Sequence, residues 1–360
     1  MRRPVRIVAL IFAVLAGALV LLAVVAWCAS EDVRYVARAG YEEARILLRR
    51  QPIARLVADP ATDPAVRAKL ELVLAARAFA ADSLGLAAKQ TYTTFARVDH
   101  DTLVLVLTAS RADRLVEHLW SFPVVGRVPY QGFFDPRRAA AEAHRLEQAG
   151  LDTYLRPSPA FSTLGWFNDP LLSTLLRDDS VELAATVIHE ILHNTVWAPG
   201  FVAFNESLAN QVGYVGAAAF FRARGDYVNA DRAAARWRDE LRLGRFYADL
   251  VARLDSLYAS GVAGPALREA RHRVFGAAQA QLAGPVGRTL ETLDGRRLAA
   301  RPLNNAVVLA QRLYRTGLDR LDRVLAAHGG MLRVTVADVR SRLAGGGDPW
   351  MVLEGATKGR

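Results

Sequence analysis

The stretch VIHEILHN, residues 187–194, places His189 and His193 four positions apart with Glu190 directly after the first histidine. Its neighbours Val187, Ile188, Ile191 and Leu192 are apolar. In an α-helix, positions i and i+4 share a face one turn apart, so two imidazoles there can converge on one point. Burying two imidazoles and a carboxylate without partners costs several kcal/mol. A divalent cation removes that cost by occupying the imidazole lone pairs. Zn²⁺ takes histidine nitrogens at about 2.0–2.1 Å, and a catalytic site needs a third protein ligand and one open position. Glu190 then sits beside the ion as the catalytic general base, the H-E-x-x-H arrangement of metalloproteases.

The third ligand is expected downstream. Thirteen residues past His193 the chain reads FNESLANQ, which supplies Glu206. The intervening Pro199 and Gly200 can reverse the chain. A second helix starting near Asn205 then runs antiparallel to the first and presents Glu206 from its first turn, where the helix dipole favours a carboxylate. Asn210 lies one turn further and is expected to hold the outer N–H of a ligand histidine. The expected metal set is His189, His193 and Glu206 around one zinc ion.

Outside this constellation the sequence bounds the molecule more loosely. The chain has 360 residues, enough for one large domain or two medium ones, and 52% of them are hydrophobic. With 23% charged residues, global disorder is excluded on composition. The net charge of +10 comes from scattered arginines rather than a basic face with aromatic stackers, so no nucleic acid partner is expected. Cys28 is the single cysteine, and no intrachain disulfide can form. Its position after Val25, Ala26 and Trp27 fits lipidation poorly.

Ile7 to Trp27 is an unbroken apolar run of 21 residues preceded by Arg2, Arg3 and Arg6. At 1.5 Å per residue it reaches roughly 30 Å, a bilayer core. The positive-inside rule then puts residues 1–30 as a cytoplasmic tip and single transmembrane anchor in the inner membrane, with the remainder on the periplasmic or extracytoplasmic side. A cleaved signal peptide is the competing reading, although the apolar run is long for one.

The ectodomain is expected to span residues 31–345, mixed α/β to about 205 and helical after, with 346–360 a flexible tail. Pro64 to about Ala81 predicts a helix; Thr91–Val98 and Thr102–Thr108 predict strands joined by a turn at Asp99-His100-Asp101. Residues 120–135 read as an aromatic loop, Pro136 to about Gln148 as a helix closed by Gly150, and 303–326 as one helix. Ser180, Asp178 or Asp179 caps the motif helix. The class is α+β, predominantly helical, with a small mixed sheet.

HEILH followed by FNESLA, with AFSTLGWFNDPLLSTLL before them, resembles the bacterial putative aminopeptidase family, a group read as gluzincin-like zinc peptidases. SFPVVGRVPYQGFFD and PLNNAVVLAQRLY extend the resemblance across most of residues 35–330. It implies His189 and His193 as ligands, Glu190 as base and Glu206 as third ligand. It also implies a zincin-like fold in which an edge strand, here YLRPSPAFSTL, holds an extended peptide substrate. Two positions depart from the family pattern: Phe161 stands where a Tyr is usual, and Gly213 where an acid is common.

An oxyanion donor is also required. Tyr154, Arg156, Tyr130, Tyr214 and Tyr314 are open candidates, with Tyr154, Arg156, Asn205 and Asn210 marked as residues behind the ligands or at the substrate. Asn304 and Asn305, unusual in a helix, either reach the cleft or cap a neighbour. Trp166 and Phe167 are read as core, and His100, His118, His144, His272 and His328 lack partners at ligand spacing. No Gly-x-Met-Glu-Asn string is present, and Asp169 is the nearest upstream acid for a substrate ammonium, so endopeptidase activity stays open. Two other functions compete: a non-catalytic, zinc-binding envelope protein on a zincin scaffold, and a purely structural helical module.

Overall fold

The computed structural model describes residues 31–98, 104–122, 126–158 and 170–357. The expected anchor at 1–30, Cys28, His100, Phe161, Trp166, Phe167 and Asp169 lie outside the described residues. Among those described, no helix is long and apolar enough to cross a membrane. The chain is α+β and mostly helical, with small sheets.

Helices α1 (Glu31–Arg49), α2 (Ile53–Ala58) and α3 (Pro64–Asp82) open the described chain. Pro52 separates the first two as expected, and Asp63 caps α3 by accepting from the amides of Ala65 and Val66. Three short sheets follow. β1 (Gln51–Pro52), β2 (Thr94–Ala96) and β8 (Leu171–Leu172) form the first, in the order β1-β2-β8. β3 (Val104–Arg111) is the centre of the second, flanked by β6 (Gln131–Phe133) and β7 (Leu151–Ser158), both antiparallel to it. β4 (Trp120–Phe122) and β5 (Gly126–Val128) form a ribbon.

Two expectations change here. β2 and β3 do not form a hairpin, because β2 pairs with β1 and β8 while β3 pairs with β6 and β7. The aromatic segment 120–135 holds three short strands rather than one loop. α4 (Pro136–Gln148) matches its expected span, with Asp135 as N-cap and Gly150 at φ +79° behind it. Its Ala143 and Leu146 pack on Leu107 and Ala109 of β3.

α5 (Ser180–His193) carries the opening motif, and α6 (Val202–Ala223) follows it. Asp179 is the cap of α5, accepting from the amides of Val181 and Glu182. α7 (Tyr227–Ala259) has 33 residues and reaches roughly 50 Å. Its first half packs Ala230, Ala233 and Trp237 into the main core with α3, α5 and α6. Its second half packs Phe246, Leu250 and Leu254 against Phe275 and Leu282 of α8 (Gly264–Ala283). After α9 (Gly295–Ala299), the expected single helix at 303–326 is two: α10 (Asn305–Arg315) and α11 (Leu318–Ala327). Gly317 breaks it, adopting φ +65° where a Cβ would meet the Trp350 ring at 2.5 Å.

α12 (Leu332–Leu343) and α13 (Pro349–Thr357) close the described chain. Within the expected tail, residues 349–357 are helical. Leu353 is buried in the main core, and the Trp350 ring meets Phe204 of α6 edge-on at 5.1 Å.

Candidate functional site

α5 and α6 lie antiparallel and close. His193 and His189 face Glu206, Ala185 faces Gly213, and Glu182 reaches Tyr214, so positions fall along α5 as they rise along α6. Gly213 permits the approach: a Cβ there would lie 2.8 Å from the Ala185 carbonyl oxygen and 3.3 Å from His189 Cβ. Packing therefore leaves no room for a larger side chain at this position. At Gly216 an added Cβ would meet Ile188 at 3.0 Å.

The three expected ligands come together. The Nε2 atoms of His189 and His193 are 3.3 Å apart. Glu206 Oε2 lies 3.3 Å from His189 Nε2, and Oε1 lies 3.6 Å from His193 Nε2. All three residues are mostly buried. A tetrahedral ion held about 2.0–2.1 Å from each ligand atom sets those atoms about 3.3 Å apart, so the donor set and its spacing fit zinc. Burial, then the adjacent His189, hold the His193 imidazole down to about 4 and keep its lone pair free. Burial also depresses His189, but its hydrogen bond to Glu206 and the Glu190 and Glu206 charges outweigh that and raise it. Burial pushes the Glu206 carboxyl up, and the two histidines with Arg156 more than reverse the push.

Glu206 sits in the second turn of α6, not the first, because the helix begins at Val202. Its placement owes less to the dipole than to the loop before it. Buried Asn205 accepts from the Ala198 amide at 2.8 Å and donates to the Ala198 carbonyl at 2.9 Å. That pair fixes the turn between α5 and α6. Asn210 does not reach an imidazole: its Nδ2 donates to the Tyr314 carbonyl at 3.2 Å and to Glu240 at 3.4 Å. It satisfies a carbonyl at the C-terminal end of α10, where helices leave such groups open. His193 Nδ1 is buried with no hydrogen-bond partner among the described residues.

A cavity of about 1440 Å³ opens over the three residues and is also lined by Glu190, Arg156, Tyr130, Tyr214, Trp197 and Tyr314. Four of the five oxyanion candidates line it. Tyr154 is absent from the lining. The Tyr214 hydroxyl is committed to Glu182 at 2.8 Å. Tyr314 projects from the last turn of α10, its ring 6.4 Å from that of His189. Burial, then the Glu206 charge, push its hydroxyl up to about 12 against Arg156, so it stays protonated. Arg156 and Tyr130 complete this wall, and both feel each other and Glu206.

Asn304 and Asn305, which sequence left between cleft and cap, seat α10. Asn304 caps it through the Val307 amide and donates to the Thr153 carbonyl of β7 at 2.9 Å. Asn305, fully buried, donates to the carbonyls of Arg111 and Arg114 and accepts from the Tyr258 hydroxyl. Its amide meets Asp152 at 2.9 Å, and Asp152 also pairs with Arg271. Behind the site, Glu240 holds Arg236 at 3.1 Å and Arg315 at 2.8 Å, and Arg236 reaches Glu182 at 3.2 Å. This buried chain of charges joins α5, α7 and α10, and sequence spacing gave no sign of it. Of the remaining histidines, His118 packs edge-on against Trp120, His144 is exposed near Glu147 and His328 lies 3.5 Å from Asp338.

Neither a curated protein nor a solved structure matches the chain. A family model described as putative aminopeptidase matches residues 34–346, which suggests peptidase activity. That match takes in the sheets, α5, α6 and α10, and the chain belongs to this family.

Proposed function

We propose that the chain is a membrane-anchored zinc peptidase, an aminopeptidase by family, working outside the cytoplasm on a zincin-like scaffold. The observation that carries this reading is the convergence of His189 Nε2, His193 Nε2 and the Glu206 carboxylate at 3.3–3.6 Å within one cavity. Zinc held there would supply Lewis acidity toward a peptide carbonyl and lower the pKa of a water.

The chain's own residues do the rest. The α5 register fixes both imidazoles on one side, and Gly213 lets α6 bring Glu206 against them. Glu190 follows His189 directly and lines the same cavity, which supports a role for its carboxylate in taking a proton from water and returning it to the leaving amine. Tyr314, kept protonated, and Arg156 line the cavity and would donate to negative charge developing on the carbonyl oxygen. Among the described residues β7 is an edge strand of its sheet, which supports the expectation that an extended peptide lies along Tyr154–Ser158. The anchor rests on the Ile7–Trp27 run and its arginine flank.

The test is cleavage of a peptide library with free and blocked N-termini by the full chain. Glu190→Gln is expected to keep zinc and lose turnover by about 100- to 10,000-fold. Equal turnover by Glu190→Gln and the parent overturns the mechanism, and cleavage of blocked peptides moves the activity from exopeptidase to endopeptidase.

A further inference from the structure

A large aromatic side chain that stands in solvent beside a candidate catalytic centre needs a reason. Trp197 is 53% exposed, although both its chain neighbours are buried, Val196 at 4% and Ala198 at 6%. The exposure is not looseness. Asn194 Nδ2 donates to Thr91 Oγ1 at 2.8 Å, Thr195 Oγ1 accepts from the Ala87 amide at 2.8 Å, and Asn205 clamps Ala198 from both sides. The backbone on each side of Trp197 is thus pinned, and the indole is held out edge-on to His193, ring centres 5.6 Å apart. Two further exposed apolar residues line the same cavity: Val202 at the first position of α6, and Tyr130. Tyr130 lines the same cavity as the candidate metal ligands.

We propose that Trp197, with Val202 and Tyr130, forms a preset apolar subsite that takes an aromatic or large aliphatic side chain next to the scissile bond of the peptide. This rests on the peptidase reading. Aromatic rings fixed in a cleft bind apolar side chains with little loss of conformational freedom, because the protein has already ordered them. Contact with His193 sets the subsite within one residue of the reacting carbonyl. The cavity, at about 1440 Å³, has room for several residues in addition.

The experiment measures binding of two probes, Ala-Phe-Phe-Ala and Ala-Ser-Ser-Ala, by titration calorimetry to the full chain carrying Glu190→Gln, so that turnover does not interfere. The Glu190→Gln chain is expected to prefer the Phe probe by about tenfold or more. Adding Trp197→Ala is expected to collapse that preference at least fivefold, and Trp197→Phe to restore most of it. A Trp197 that merely props His193 would weaken both probes equally and leave the ratio unchanged; that result, or an unchanged affinity for the Phe probe, overturns the proposal. Zinc content of each variant is measured alongside. A chain that shows the Trp197-dependent preference but cleaves no peptide in the parent form keeps the subsite and loses the peptidase reading, so the two failures are distinct.

Discussion

The two walls of the cavity are built on opposite physical terms. The α5–α6 wall is close-packed and depends on what is missing: no Cβ at Gly213, which faces Ala185, or at Gly216, which faces Ile188. The α10 wall depends on what is present: Asn304, Asn305 and Asp152 spend their hydrogen bonds fastening α10 to β3 and β7. The first wall carries His189, Glu190, His193 and Glu206; the second carries Tyr314 and Arg156. Steric closeness sets the candidate metal ligands, and buried polar contacts set the candidate oxyanion donors. Damage to the two walls should therefore separate in the laboratory.

The largest expected separation is catalytic. Tyr314→Phe removes only the hydroxyl, and kcat should fall about 100- to 1000-fold, roughly 2.7–4 kcal/mol of barrier, with zinc content unchanged. Steady-state kinetics beside elemental analysis checks it. Next is Asn305→Ala, which removes one hydrogen bond each from the Arg111 and Arg114 carbonyls and the Tyr258 hydroxyl, all of which keep another partner. Denaturant titration should show a loss of about 2–3 kcal/mol, with kcat reduced and zinc affinity preserved. Gly213→Ala acts on the other wall: the new methyl meets a backbone carbonyl, costing about 1–3 kcal/mol, and zinc affinity should drop with stability. Smallest is Asp135→Ala at the N-cap of α4, away from both walls, at about 1 kcal/mol and with kinetics untouched. If Asn305→Ala released zinc or Gly213→Ala spared it, the division between the walls would not hold.

The same division explains what could be read from the sequence. His189, Glu190 and His193 announce themselves because a four-residue spacing has one meaning in a helix. Glu206 follows from the turn residues Pro199 and Gly200, and the helices at 64–82 and 136–148 follow from Pro, Asp and Gly at their ends. The α10 wall carries no such local signal. Asn305 reaches carbonyls some 190 positions away, and Asn210 serves Tyr314 rather than a histidine. Of the five oxyanion candidates, the cavity lining sets aside only Tyr154, and the Tyr214 hydroxyl is committed to Glu182. The β2–β3 turn misled because short Thr- and Val-rich runs specify strand but not partner. Gly317 was visible as a residue but not as a break, since the Trp350 ring that leaves no room for a Cβ there lies 33 positions away.

Zinc stoichiometry of the purified full chain and its Glu206→Ala variant goes most directly to the heart of the site. The parent should hold close to one zinc per chain by elemental analysis, and Glu206→Ala less than a tenth of that at equal zinc activity, with far-ultraviolet circular dichroism unchanged. A parent without stoichiometric metal, or a Glu206→Ala chain that binds zinc as tightly as the parent, would contradict a centre built from His189, His193 and Glu206.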